Sequence, residues 1–331
     1  MDLRRIALAV IPALGVVLTS GVSAAQQVAK VPRVGYLPSA SVGPTPTTPN
    51  RLFEAFRKGL GDLGYIEGRD IVIEPRWAEG RVERLPELAA ELVGLKVDII
   101  ATTGAVAARA AKNATTTIPV VMAVVIDPVA GGLVSNLQRP GGNVTGLTTY
   151  DPQQPRKQIE ILKEVIPGLA RLALLGDQDV RAGLLRANEE QARALGLQTQ
   201  SYLVGAPDPD LEGAFDAATK GAADALLVLE QPATIAHRKR IAELAAKHRL
   251  PTLFARDYVD AGGLIAYGAS LAEAGQRMSA YVDKIIKGAE PDDLPIEAVT
   301  RHELIINLKT AHEIGVTIPP EVLKRADQVI Q

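Results

Sequence analysis

Apolar residues recur along this chain in two rhythms. Short Val/Ile/Leu runs at 31–37, 71–73, 98–103 and 119–125 predict strands. Between them, Leu52, Phe53, Phe56, Leu60 and Leu63, then Leu85, Leu88, Leu92 and Val93, fall at helical spacing, and 105–112 reads as a helix of small residues. Gly64 is expected to end the first helix. The scheme then repeats, with strands at 171–175, 198–204, 225–229, 252–254 and 264–267 and helices at 180–195, 211–219 and 235–248. Gly61-Asp62-Leu63-Gly64 and Arg193-Ala194-Leu195-Gly196 close corresponding helices, each ahead of the second strand of its half. The strands are apolar throughout, as in a parallel sheet covered on both faces. The expected class is therefore α/β: two Rossmann-like lobes with mostly parallel sheets. The first link between them is expected near 147–152, with Gly268 as a return point.

The N-terminus stands outside this pattern. Arg4 and Arg5 precede an almost uncharged apolar run, 6–18, and a small-residue stretch ends in Ala24-Ala25-Gln26. That order is a secretory signal peptide, residues 1–25, with cleavage expected near Ala25. The run is short for a membrane span, which needs about 20 residues. The chain has no cysteine, which excludes a lipid anchor as well as any disulfide. About 305 residues then remain, enough for two lobes of ordinary size. A formal charge of −2 with both signs scattered gives no field for nucleic acid. These features point to a soluble monomer in the periplasm.

Signatures of catalysis are missing. The four histidines, His237, His248, His302 and His312, share no helical face with one another and give no metal site. No nucleophile elbow, P-loop or dinucleotide fingerprint is present. Neither an enzymatic activity nor a cofactor is expected. Asp292-Asp293 reads as a solvated turn, and Asp208 and Asp210 as caps of the helix that follows them.

What remains is a set of polar residues at the carboxyl ends of the strands, where open α/β sheets bind ligands. Ser39 opens a long Pro/Thr-rich loop after the first strand. Thr102, Thr103 and Gly104 begin a helix and suit an anion, or serve as an ordinary cap. Asp127 is a candidate both for a ligand amine and for the cap of a helix begun by Pro128. Tyr150, in the first link, offers an aromatic face. Gln231, Asp257, Tyr258 and Ser270 occupy the same edge in the second half. The combined expectation is that Thr102, Thr103 and Gly104 hold an anionic group, Asp127 and Asp257 orient a donor, and Tyr150 and Tyr258 flank a ring or apolar portion.

Several blocks together resemble one family. They are Phe56-Arg57-Lys58-Gly59-Leu60, Leu63-Gly64-Tyr65-Ile66-Glu67-Gly68-Arg69, Asp127-Pro128-Val129, Arg139-Pro140-Gly141-Gly142-Asn143-Val144-Thr145-Gly146-Leu147 and Ile305-Ile306-Asn307-Leu308-Lys309-Thr310-Ala311. The family is the ABC-transporter substrate-binding proteins of the tryptophan/tyrosine-type group. The resemblance implies a type I periplasmic binding architecture with a ligand cleft between lobes joined by three crossovers, the third near 299–303. The lobes would be 31–148 plus 268–300 and 149–267 plus 301–331. It further implies capture of a small ligand, carboxylate-bearing and of aromatic or amino-acid type, by hinge closure. Delivery would be to an inner-membrane permease driven by a cytoplasmic ATPase, or, alternatively, the closed form would be presented to a receptor.

Overall fold

The computed structural model describes residues 30–39, 50–79, 81–178, 183–205, 208–254 and 258–331. The signal-peptide expectation therefore lies outside the described residues. The first half runs β1 (Arg33–Pro38), α1 (Arg51–Asp62), β2 (Val72–Pro75), α2 (Leu85–Gly94), β3 (Ile99–Thr103), α3 (Ala105–Ala114), β4 (Val120–Val125) and β5 (Val144–Thr148). The second half runs α4 (Gln154–Val165), β6 (Arg171–Asp177), α5 (Gly183–Ala194), β7 (Gln198–Val204), α6 (Leu211–Lys220), β8 (Ala225–Val228), α7 (Pro232–Ala236), α8 (Arg238–Lys247), β9 (Thr252–Phe254) and β10 (Ile265–Ala269). The chain ends with α9 (Leu271–Ile286), β11 (Glu297–Ala298), β12 (His302–Asn307), α10 (Leu308–Ile314), α11 (Pro320–Arg325) and β13 (Gln328–Ile330).

Two open, mostly parallel sheets result, ordered β11-β5-β4-β3-β1-β2 and β13-β12-β10-β9-β8-β6-β7. Within each half the first five strands take the same order, 2-1-3-4-5, and among the described pairings only β10–β12 is antiparallel, with β13 following β12 in the reversed direction. The repeat is visible at the helix ends too: Gly64 and Gly196 follow α1 and α5 at φ +95° and +81°. Central strands β3, β5, β8 and β9 are buried at every position, whereas the edge strand β7 is largely exposed. That contrast is what helices on both faces of a parallel sheet produce.

The chain passes between the sheets three times: after β5, after β10 and between β11 and β12. Between the second and third passages, α9 returns to lie on α1. There Ala274, Met278, Tyr281 and Val282 close the apolar cluster of Val34, Tyr36, Phe53, Phe56 and Leu60. The third passage is tied to the first turn of α9 through Glu273, which accepts from Arg301 N at 2.8 Å and from Arg277 at 3.0 Å. Burial disfavours the charged Glu273 carboxylate, but the N–H groups of Arg301 and Thr300 and the Arg277 guanidinium outweigh it and hold the group below the usual carboxylate range. A carboxylate depressed on folding contributes stability above its unfolded value, about pH 4.3, and loses it as pH falls through the folded-state value. Urea titrations at about pH 5 and pH 3 should therefore show a smaller acid loss in Glu273→Gln than in the parent.

The structure corrects some expectations. The strand expected at 71–73 is Val72–Pro75, and Ile71 makes only an isolated bridge to Glu67. The helix expected at 235–248 is two helices: α7 begins earlier, at a capping box of Gln231 and Thr234, and the backbone leaves helical geometry at His237 (φ −103°, ψ 17°) before α8. No helix follows Pro128: residues 128–132 form a turn. Residues 147 and 148, expected in the first link, are still strand, paired to β11 and β4.

Candidate functional site

The carboxyl ends of β1, β3, β4 and β5 lie along one edge of the first sheet. Ser39 is drawn to β3 by its N–H, which donates to Thr103 O at 2.8 Å. Its hydroxyl accepts from Ala107 N at 2.9 Å, so Ser39 caps α3 from another strand. Gly104 opens that helix, and its own N–H donates to Ala123 O at 2.9 Å. Thr102 and Thr103 point to opposite faces, as successive strand residues must. Thr102 is fully buried with its hydroxyl unpartnered, and Thr103 is 8% exposed.

A feature that the sequence reading missed lies beside Thr103. Tyr36 is fully buried, and its hydroxyl has no hydrogen-bond partner; the Thr103 side chain is next to it but outside bonding geometry. The Tyr36 ring packs on Phe53 (4.6 Å between centroids), Trp77 (5.6 Å) and Phe56 (5.9 Å), and Phe53 meets Trp77 edge-on. Trp77 is thus part of an aromatic cluster at this edge. Burial pushes the ionisation of Tyr36 far above that of an ordinary tyrosine, so the hydroxyl keeps its proton as a donor. Residue types alone gave no sign of this, since a tyrosine in an apolar strand reads as core.

Strain marks the neighbouring strand. Val124 has φ +61°, an outlier for a β-branched residue. It sits where the β4–β5 register shifts between Met122 and Val125, and such irregularities gather at functional edges. Asp127 follows; its carboxylate accepts from Ala130 N at 2.9 Å and caps the turn that replaces the expected helix. Arg109 and Lys112 of α3 hold that turn through the carbonyls of Gly131, Gly132 and Leu133. Asp127→Ala should cost about 1 kcal/mol in denaturant titration through loss of this cap. Beyond β5, the Thr149 hydroxyl is buried without a partner, and Tyr150 is 56% exposed. Three of the buried unpartnered hydroxyls thus line this one edge: Tyr36, Thr102 and Thr149.

The second sheet is arranged differently. Gln231 is buried, and its Oε1 accepts from Asp177 N at 2.5 Å, while Asp177 accepts from Ala233 N at 3.1 Å. These residues knit the end of β6 to the start of α7. Ser270 is 1% exposed, caps α9 by accepting from Glu273 N, and donates to Glu303 at 2.5 Å. The side chains of Gln231 and Ser270 are thereby engaged within the protein. Tyr258 begins a 3-10 turn (Tyr258–Ala261), and Asp257 lies outside the described residues. Asp210 does cap α6, accepting from Gly213 N at 2.8 Å. Asp292 and Asp293 are exposed in a 3-10 turn (Pro291–Asp293), as expected, and Asp292 also accepts from Gly141 N at 2.7 Å. Among the described residues, no group of three or more His, Asp or Glu side chains is placed to hold a metal ion, and no helix is long and apolar enough to cross a membrane.

Comparison with known proteins places this geometry. The chain is 26% identical over 267 residues to the tyrosine-binding protein of Clostridioides difficile, covering 78% of this chain and 74% of that one. Its backbone is similar to a conserved domain protein from Vibrio cholerae (26% identity, TM-score 0.78, covering 91% of this chain and all of that one). It is similar too to a Streptococcus pneumoniae ABC domain solved in complex with L-Trp (24% identity, TM-score 0.78, covering 90% and 99%). The family model of ABC transporter substrate binding proteins matches residues 50–330, and the chain belongs to that family.

Proposed function

We propose that this protein captures a small carboxylate-bearing ligand of the aromatic amino-acid class and delivers it unchanged to a permease. Members of the family bind substrates without transforming them, and this chain is not an enzyme. On this reading the lobes are those expected from the sequence, with the boundary at 268 moved to 270 because Gly268 and Ala269 belong to β10 of the second sheet, and they close about the three passages. The carboxylate is held at the edge formed by Thr103 and the start of α3, where a hydroxyl and helix N–H groups favour negative charge. Asp127 faces the ligand amine and Tyr150 flanks its ring; Asp257 and Tyr258 are assigned the matching roles from their place in the sequence. The N-terminal 25 residues direct export to the periplasm, where the mature protein is a soluble monomer.

The observation that carries this reading is the polar edge of the first sheet: an unpartnered buried hydroxyl at Tyr36 on the Thr103 face, beside the aromatic cluster, and another at Thr102 on the opposite face. Buried hydroxyls without partners are uncommon and call for an explanation; a ligand-binding edge supplies one. The ligand chemistry is supported by the tyrosine-binding relative and the L-Trp-bound neighbour.

Calorimetry with L-tyrosine, L-tryptophan and L-phenylalanine tests it. Thr103→Val keeps shape and removes the hydroxyl, and should weaken binding about tenfold, the worth of a hydrogen bond to a charged group, with the unfolding midpoint nearly unchanged. Parental affinity in Thr103→Val would remove the site, and no binding of the three amino acids would remove the ligand class.

A further inference from the structure

His302, which begins the strand after the third passage, meets a residue of the first passage and one of β10, the strand that leads into the second. Its Nε2, which has no hydrogen-bond partner, lies 3.2 Å from the Asp151 carboxylate in the first passage, a close approach without hydrogen-bond alignment. Its ring stacks on Tyr267 at 5.5 Å and 18°, in β10 just ahead of the second passage. Its Nδ1 lies 3.3 Å from Thr300 O, in the third passage itself. Around it the passages are joined again: Val299 N donates to Thr148 O at 2.9 Å, Ser270 N to Arg301 O at 2.8 Å, and Gln158 of α4 to Tyr267 O at 2.9 Å. Asp151 is itself fixed, accepting from Gln153 N at 2.8 Å. The His302 side chain is 12% exposed and that of Asp151 27%, so the pair is shielded and not a loose surface contact.

We propose that His302, through Asp151 and Tyr267, is a positioning residue for hinge closure: it binds the three passages into one pivot, so that the lobes swing along a single path. The inference rests on the closing-lobe reading above and adds the residue that governs the motion. It follows from the cost of ordering. Three independent passages permit many relative lobe orientations, and a ligand that needs one of them must select it at an entropic cost. A side chain that ties the first passage to the third and to the strand feeding the second removes most of those orientations before the ligand arrives. The touching groups come from separate stretches of chain, so this effect is separable from ligand contact: His302 lies outside the edge assigned to the ligand.

The test compares the parent with His302→Ala, Asp151→Ala and the double variant, using L-tyrosine and L-tryptophan as probes. Calorimetry reads affinity, stopped-flow fluorescence reads release, and small-angle scattering reads compaction on binding. His302→Ala should bind about five- to twentyfold more weakly, mainly through faster release, and compact less on saturation. The double variant should be no weaker than His302→Ala, because contacting residues in one network are not additive. His302→Gln, whose side-chain amide can approach Asp151 from the same position, should recover part of the affinity. A purely structural role would instead lower the unfolding midpoint and leave affinity at saturating folded protein unchanged. If His302→Ala does not fold, Asp151→Asn, which keeps shape and removes the charge, carries the same expectation of weaker binding. Parental affinity and release in the folded variant would overturn the pivot while leaving the ligand reading intact. Failure of the parent to bind either probe would remove the ligand reading and the pivot with it.

Discussion

Replacing Gly146 with alanine is expected to remove about 3 kcal/mol or more from the stability of the protein, and to disturb the candidate site. Gly146 sits in the middle of β5 at φ +130°, a conformation that residues with a Cβ adopt at a cost of about 1–3 kcal/mol. A second penalty adds to the first. A Cβ placed there would come within 2.0 Å of Met122 O and 2.7 Å of Met122 N. Those are backbone atoms of the neighbouring central strand, so no side-chain rotation relieves the clash. The strands would have to separate at the irregularity that gives Val124 its positive φ and leads into Asp127. Denaturant titration checks the stability loss. Calorimetry checks that binding weakens even where the variant remains folded. A variant as stable as the parent would mean that the close approach of β4 and β5 is not a property of the folded chain.

The second large effect is expected at Gly275, on the seam between α9 and α1. Here the backbone is helical and the constraint is space. A Cβ would lie 2.4 Å from Leu52 O, 2.9 Å from Phe56 N and 2.8 Å from the Ala55 Cβ. Alanine has the better helix propensity by about 1 kcal/mol, which in an exposed helix would make the substitution stabilising. In this seam the helices must move apart, and Tyr36, Phe56, Met278 and Val282 lose contact together. Overpacking costs typically about 1–3 kcal/mol, so Gly275→Ala should come out destabilised despite its propensity, and Gly275→Val more so. Urea midpoints for the two variants check the order.

Much of this architecture was legible in the apolar rhythm. Buried strands such as Ile99–Thr103 and Val120–Val125 are continuous apolar runs, and α1 announces itself through Phe53, Phe56 and Leu60 on one face. The duplicated order of the halves was foreshadowed by the matching closures at Gly64 and Gly196. The residues around Asp127 misled because Asp-Pro is a helix-start signal, while the chain turns back instead to meet Arg109 and Lys112, which no local pattern records. The start of α7 ahead of residue 235 was hidden for a similar reason: it is set by Gln231 and Thr234, whose reciprocal cap reads locally as loop.

The site was legible as an edge, less so as individual residues. Ser39, Thr103 and Asp127 could be placed by position after a strand. Whether a side chain at such a position is free for a ligand depends on what the fold brings to it. Gln231 meets the end of β6, 54 residues away in sequence, and Ser270 meets Glu303, 33 residues away. Those pairings arise from topology, as do the empty hydrogen-bond capacity of Tyr36 and the strain at Val124.

The return of α9 to the first sheet governs how the protein comes together. Tyr65, just after α1, donates to Asp283, 218 residues later, at 2.8 Å. A ribosome delivering this polypeptide from its amino end releases nearly the whole chain before the helix that covers Phe56 becomes available. Early strands therefore wait with a greasy flank exposed, and closing such distant partners is slow. The first sheet can therefore complete its core only when the last quarter of the chain, which carries α9, has been delivered.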